Sequence, residues 1–305
     1  MRALVYKSTG SWYQVKDETG KLYHARIKGK LKVDHITSTN PVAVGDWVHV
    51  NHEGEDYIIT SVEARHNYIN RVSPHNKNQQ HIVAANLDQS LLFATLKDPK
   101  TSFGFIDRFL VTAEAYHVKA IIVWNKADLW GKKEMEKLLL ARKIYEPIGY
   151  EMYSMSLAEN KGVDEMKSLL KDKTTLLSGH SGVGKSTFIN ELFPHLDLKT
   201  QDVSAWSGKG MHTTTFAEMF DLPGGGKIID TPGIREMGLA DIEKDELSHY
   251  FPEMRRIIQN CRFNNCNHID EPGCAVKAAV AKGKIFEERY LSYLSIRDSI
   301  QDEKW

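Results

Sequence analysis

The stretch GHSGVGKST, Gly179 to Thr187, constrains the fold more than any other part of this chain. Gly179, Gly184, Lys185 and Ser186 satisfy G-x-x-x-x-G-K-[ST], the pattern of a phosphate-binding loop. Glycines in such a loop let the backbone N–H groups, here those of His180, Ser181, Gly182 and Val183, turn inward around phosphate oxygens. A helix opening at Lys185 adds its N-terminal dipole to the same anion. Lys185 supplies a point charge for the β and γ phosphates, the Ser186 hydroxyl suits Mg²⁺, and Thr187 follows in the first helical turn. The flanks agree: the apolar TTLLS predicts a strand before the loop, and STFINELF a helix after it. Stripped of that context, the same residues would make a glycine-rich turn with no ligand. A strand, a loop and a helix in this order belong to an α/β sheet that binds ligands at the carboxyl ends of its strands.

The central region repeats that alternation. SLLFATL, KAIIVW and YEMYSMSL predict strands, and FIDRFLVTAEAY, KKEMEKLLLARKIYE and GVDEMKSLL predict helices. FAEMFDLPGGGKIIDTPG predicts a hairpin. Together they predict a mainly parallel sheet covered by helices. Before it, SWYQV, KLYHARIKGKLKV, DWVHV and DYIITSV are short β-type runs separated by ETG, TNP and HEGED, which suits a small all-β barrel of the OB type. The polar SPHNKNQQ from Ser73 to Gln80 is expected to be a linker. Beyond about residue 240 the chain is helical and polar. The expected architecture is therefore multidomain: an N-terminal OB-type β-barrel over 1–72, a central α/β P-loop domain over 73–240, and a zinc-binding helical module over 241–305.

NKAD, Asn125 to Asp128, follows the apolar AIIVW and so stands at a strand end. A carboxylate at Asp128 can accept from both N1–H and the 2-amino group of guanine, whereas adenine would leave it unpaired. Asn125 and Lys126 complete the element, which alone could be a loop with a helix cap at Asp128. DTPG, Asp230 to Gly233, follows KIID; Asp230 would hold Mg²⁺ through water and the Gly233 N–H would meet the γ-phosphate. Taken alone it is an ordinary Pro-Gly turn. Between the two lies GMHTTT, where one of Thr213, Thr214 or Thr215 suits a switch-segment Mg²⁺ ligand; the same run could simply enter a strand. The order is base reader, phosphate loop, switch threonine, then D-x-x-G. A site in three dimensions is indifferent to chain order, so joining old termini and cutting elsewhere leaves it intact. The chain thus presents a circularly permuted GTPase. Ser156 fits as well, because SLAENKG follows a strand and its backbone could touch guanine O6.

Ile234 occupies the position after D-x-x-G where many switch GTPases place a water-orienting Gln, and it can neither donate nor accept a hydrogen bond. His212 is the candidate replacement; an exposed loop histidine is the other reading. Cys261, Cys266, His268 and Cys274 read as C-x4-C-x-H-x5-C, four ligands suited to one closed, structural Zn²⁺ site. The 3 cysteines of the chain all fall here, which favours a metal over a disulfide framework.

The 40 basic and 40 acidic residues cancel, so nucleic-acid binding would need a local patch. Arg26, Lys28, Lys30 and Lys32 alternate, sharing one face of a strand, as either an RNA-facing stripe or the protective lysines of an edge strand. Arg255, Arg256 and Arg262 could add a second patch, or be a solvated face. No apolar run approaches the ~18 residues of a membrane span, and MRALVYKSTG is no secretory signal. A cytoplasmic, monomeric protein without membrane association is expected.

The permuted order, with NKAD, GHSGVGKST, GMHTTT, DTPG and the Cys/His cluster, resembles the RsgA (YjeQ) family of GTPases that depend on the small ribosomal subunit. The resemblance covers the whole chain. It implies an OB domain in the β-rich region, a zinc-binding domain at the cysteines, and His212 as the residue that positions the attacking water. It also implies rRNA contact through the cationic stripe, and slow hydrolysis of GTP to GDP that the small subunit stimulates late in its maturation. An ATP-using P-loop enzyme and a GTP-regulated RNA-binding scaffold with little turnover are the rival classes.

Overall fold

The computed structural model describes residues 1–27, 41–72, 80–193, 217–231 and 242–300. It begins with β1 (Arg2–Ser8), β2 (Tyr13–Asp17), β3 (Leu22–Ile27), β4 (Trp47–Glu53) and β5 (Asp56–Val62). Their order is β1-β2-β3-β5-β4, and a pairing of β4 with β1 closes the barrel. β3 and β5 run parallel and the other pairs antiparallel. Ala3, Val5, Val15, Val48, Val50 and Ile59 fill the interior. β1 escapes the alternating pattern expected of a barrel strand because it is buried on both sides. Ala3 and Val5 face the barrel, while Leu4 and Tyr6 join the core of the neighbouring domain.

β6 (Tyr68–Val72) and β7 (Gln80–Ala85) pair antiparallel as a separate two-stranded sheet. The polar stretch expected as a linker thus connects two strands of one hairpin, and a division at 72/73 falls between paired partners.

The central domain follows with β8 (Gln89–Thr95), α1 (Phe103–Ala115), β9 (Ala120–Asn125), α2 (Lys132–Tyr145), β10 (Glu151–Ser154), α3 (Val163–Leu170), β11 (Thr174–Ser178), α4 (Lys185–Leu192), β12 (Glu218–Asp221) and β13 (Lys227–Asp230). The sheet order is β10-β9-β8-β11-β13-β12, parallel except for β12. β8 and β9 are buried throughout, as strands covered on both faces must be. Leu92, Ala94, Ile122 and Trp124 pack under α1 and α2; Leu91, Phe93, Ile121 and Val123 pack under α3 and α4. Register alternation alone assigns these side chains to opposite faces. β12 in turn meets β1 at Lys7↔Glu218, so barrel and central sheet form one continuous run of strands.

The C-terminal module holds α5 (Pro252–Arg255), α6 (Ala275–Ala281) and α7 (Glu287–Ser299). Its polar sequence suggests little core, yet Leu247, Phe251, Met254, Val276, Tyr293 and Ile296 make one, and Val111 of α1 belongs to it. α1 is therefore buried on two sides, against the sheet and against this module. At the α1–α7 contact Arg289 is 1% exposed. It donates to Glu253 at 2.6 Å and to Asp107 at 2.7 Å, and Tyr145 donates to the same Asp107 oxygen at 2.7 Å.

Candidate functional site

β11 runs between β8 and β13 and delivers the chain to the phosphate loop at the sheet's carboxyl edge. Two glycines there are required by close approach. A Cβ at Gly179 would stand 2.3 Å from the Phe93 carbonyl oxygen, and one at Gly184 would stand 2.2 Å from Asn125 Nδ2. Both have positive φ, 136° and 101°, so any other residue would be strained as well as crowded. Ser181 is exposed, Val183 is buried beneath the loop, and Ser186 and Thr187 lie in the first turn of α4.

Lys185 Nζ donates to the carbonyl oxygens of Gly179 at 2.6 Å and His180 at 2.8 Å. Asp230 ends β13 nearby, 6% exposed. Burial lowers the Lys185 pKa despite the Asp230 charge, and burial raises that of Asp230 despite Lys185. Both groups are thus held away from their charged forms by desolvation. A polyanion beside Lys185 and a cation reached from Asp230 would restore each charge. The donor set, a hydroxyl at Ser186 and a carboxylate at Asp230, is the hard oxygen chemistry that Mg²⁺ takes.

The base-reading element is joined to this loop. Asn125 ends β9, 1% exposed, and donates from Nδ2 to the Val183 carbonyl oxygen at 2.8 Å. Its Oδ1 is buried with no partner, an acceptor left for a ligand donor. Lys126 takes a left-handed conformation, φ 63°, and donates to the backbone oxygen of Asp98. Asp128 is exposed in a short 3₁₀ turn and accepts from the Ser156 hydroxyl at 2.6 Å. Ser156 corrects one expectation. Its N–H donates to Lys161 O at 3.0 Å and its carbonyl accepts from Lys161 N at 2.9 Å, so its backbone is already paired. What it offers its neighbours is the hydroxyl on the Asp128 carboxylate.

Asn125 is thereby joined to the phosphate loop, Asp128 and Ser156 are brought together, Lys126 turns to Asp98, and Asp230 stands near Lys185. His212, Thr213, Thr214, Thr215 and Gly233 lie outside the described residues, as do Lys28, Lys30 and Lys32. Arg26 is exposed on β3 but pairs with Asp56. Arg255 pairs with Glu114 and Arg256 donates to Ile148 O, so both are turned toward the central domain. A cavity of about 290 Å³ lies elsewhere, lined by Arg65, Tyr68, Tyr116, His117 and Tyr250 among others. The sequence reading missed Phe105, whose ring stacks on that of the loop residue His180 with centroids 3.6 Å apart. No short-range pattern could reveal it, because the two are far apart in the chain.

Cys261, Cys266, His268 and Cys274 do converge: their ligand atoms all lie within 4.8 Å of one another. His268 Nδ1 stands 3.7 Å from Cys261 Sγ and 3.4 Å from Cys274 Sγ. The two His268 separations are close to the ~3.5 Å N···S edge of a tetrahedron with metal–ligand bonds of ~2.0–2.3 Å, and the cluster as a whole is looser than that. Burial lowers the His268 pKa, keeping the ring neutral as a ligand must be, and pushes the Cys266 thiol up to about 12. N–H groups of Ala275 and Lys277 point at the sulfurs of Cys261 and Cys274, at 3.3 and 3.4 Å. Such donors steady thiolate charge. The set could hold a metal ion.

A mainly parallel sheet with a phosphate loop after its fourth strand in chain order, clasped by an N-K-x-D element from earlier in the chain, defines a circularly permuted P-loop GTPase. The chain belongs to the RsgA GTPase family: the RsgA GTPase family model matches residues 62–240 and the RsgA N-terminal domain model residues 3–58. It is 50% identical over 307 aligned residues, covering 100% of this chain and 99% of the relative, to the small ribosomal subunit biogenesis GTPase RsgA of Bacteroides fragilis. It is 52% identical to the protein of that name in Cytophaga hutchinsonii, with 97% of each chain covered. Among solved structures it is similar to YjeQ from Thermotoga maritima, TM-score 0.78 with 32% identity over 99% of each chain. It is also similar to YloQ, described as a circularly permuted GTPase, TM-score 0.75 with 29% identity over 100% of this chain and 96% of that one.

Proposed function

We propose that this chain hydrolyses GTP to GDP and phosphate in the biogenesis of the small ribosomal subunit, late in its maturation, and that the subunit stimulates the reaction. The observation that carries the nucleotide part is the clasp between Asn125 and Val183. It makes the base reader and the phosphate loop one pocket, with Asp128 held by Ser156 for guanine. The ribosomal part is supported by the relatives' names.

In this reading the backbone N–H groups of the loop hold the phosphates and Lys185 leaves its two carbonyl partners to pair with the β and γ oxygens. Ser186 and Asp230 would hold Mg²⁺, with one of Thr213, Thr214 or Thr215, and the ion would supply charge neutralisation at the transferred phosphoryl group; the Gly233 N–H is the proposed contact to the γ-phosphate. With Ile234 unable to orient water, His212 takes that role, and turnover without the subunit is slow. Zn²⁺ is the expected ion of the Cys/His cluster, with all four positions filled by protein and a structural role. Arg26 with Lys28, Lys30 and Lys32 is the proposed rRNA contact, and the cytoplasm, where the subunit is assembled, the proposed location.

Phosphate release from GTP with purified small subunits, large subunits or no particle tests the proposal. Selective stimulation by small subunits is expected; equal rates in all three would reject it. Asp128→Asn should move preference from GTP toward xanthosine triphosphate, and an unchanged preference would place the base elsewhere.

A further inference from the structure

We infer that Phe105, in the first turn of α1, is a positioning residue for the phosphate loop, acting through His180. The two rings lie 3.6 Å apart between centroids at an interplanar angle of 29°, a close stacked contact. His180 is the first variable residue of the loop, and its carbonyl is one of the two that hold Lys185 Nζ, at 2.8 Å. A ring fixed against the His180 side chain therefore limits the rotation of a loop residue whose carbonyl holds the lysine. A loop backbone held in place in this way has less to reorganise when the anion arrives, even though Lys185 must exchange its carbonyl partners for phosphate oxygens.

The stack restrains the loop only if Phe105 is itself fixed, and the fold fixes it. Ser102 caps the helix by accepting from the Phe105 N–H at 3.2 Å. Asp107, two residues on, is fully buried in the Arg289 and Tyr145 hydrogen bonds. Ile106 and Phe109 sit in the sheet core. The N-terminal half of α1 is thus held at its cap, its core side and its C-terminal-module side, and Phe105 is the ring this mount presents to the loop.

The inference rests on the GTP-binding reading above. Its test is a set of full-length variants, Phe105→Ala, Phe105→Leu, Phe105→Tyr, His180→Ala and Phe105→Ala with His180→Ala, each measured for GDP and GTP affinity and for KM and kcat. Loss of an aromatic stack of this geometry should weaken nucleotide binding by about three- to tenfold, mostly in Kd and KM. Tyr should restore it because the ring remains, and Leu should not. His180→Ala should reproduce the loss without touching α1, and the double variant should be no worse than either single one. Leu rescuing as well as Tyr, or the two single losses multiplying, would overturn the inference, since packing alone predicts both. A wild-type chain that bound no GTP would instead overturn the underlying reading; one that bound it, with Phe105→Ala and His180→Ala unchanged, would sink this inference alone.

Discussion

Arg289 and Lys7 each tie a flanking unit to the central sheet, in very different surroundings. Arg289 of α7 is 1% exposed, its guanidinium shared between Asp107 of α1 and Glu253 of α5, over the rings of Phe251 and Tyr145. Lys7 of β1 pairs with Glu218 of β12 at 2.8 Å, with the two side chains 19% and 22% exposed. Beside it Tyr6 and Lys16 donate to Asp221, itself 41% exposed. One junction is dry and ionic, the other an edge-strand seam with half-wet ion pairs beside the buried Leu4 and Tyr6. Burial makes the first intolerant of losing any single partner, while water can replace the second's ion pairs at small cost. A domain joint that gives way during a nucleotide cycle is therefore expected at the barrel, and the C-terminal module is expected to travel with α1.

The largest effect should come from stripping the proposed metal with a strong chelator. Structural zinc contributes roughly 10–16 kcal/mol of apparent binding energy in small zinc folds. Here Cys274 also caps α6 and the cysteines line the module's core. Hydrogen exchange should show Cys261 to Ala281 losing protection while the barrel strands keep theirs. α7 should persist at its first turns, held by Arg289. If the whole chain lost protection together, the module would be no separate unit.

Next comes Arg289→Ala. It leaves two carboxylates buried without their cation and should cost about 3–5 kcal/mol in chemical denaturation. Replacing all three charges, Arg289→Met with Asp107→Asn and Glu253→Gln, should recover most of that loss. If Arg289→Ala cost under ~1 kcal/mol, the dry junction would be no stronger than the wet one.

The contrast between these junctions also explains what could be read without a structure. The glycine-rich loop and the N-K-x-D element stood out because each is a pattern of a few adjacent residues at a strand end marked by an apolar run, and the Cys/His cluster because its four residues share one short segment. β8 and β9 were legible as short continuous apolar runs between helical patterns, and the helices through their period. β1 was not named among the strands, because Leu4 and Tyr6 face a second domain and erase the alternation. The β6–β7 pairing hid behind a polar loop that resembles a linker. Arg289 looked like one more charge in a polar helix, since its partners Asp107 and Glu253 are distant in sequence. The Ser156 hydroxyl was overlooked for the same reason, its partner Asp128 being distant in sequence.

Acid should separate the junctions more gently. Burial pushes the Asp221 carboxyl up, but hydrogen bonds from Lys16 and Tyr6 outweigh it and hold the pKa below the ordinary value. A depressed carboxylate pKa adds stability that is fully present above the unfolded value, ~4, and is lost as pH falls through the folded one. Barrel protection should therefore decline below about pH 4 in hydrogen exchange, and Asp221→Asn should remove that part of the pH dependence. A slope unchanged by the substitution would mean that other carboxylates set it.

The smallest effect is expected at Lys7 and Glu218, and it measures the contrast directly. Both side chains keep some water, so their pairing should be worth ~0–1 kcal/mol in a double-mutant cycle of Lys7→Ala and Glu218→Ala. Each single change should also be mild, because the charge left behind can still be solvated. The same cycle on Arg289 and Glu253 should give a larger coupling, with each single loss nearly as damaging as the pair, since neither remaining charge can reach water. A Lys7–Glu218 coupling above ~2 kcal/mol would mean that the barrel seam is as desolvated as the α1–α7 contact. In that case nothing in the surroundings of the two junctions would single out the barrel as the one that moves.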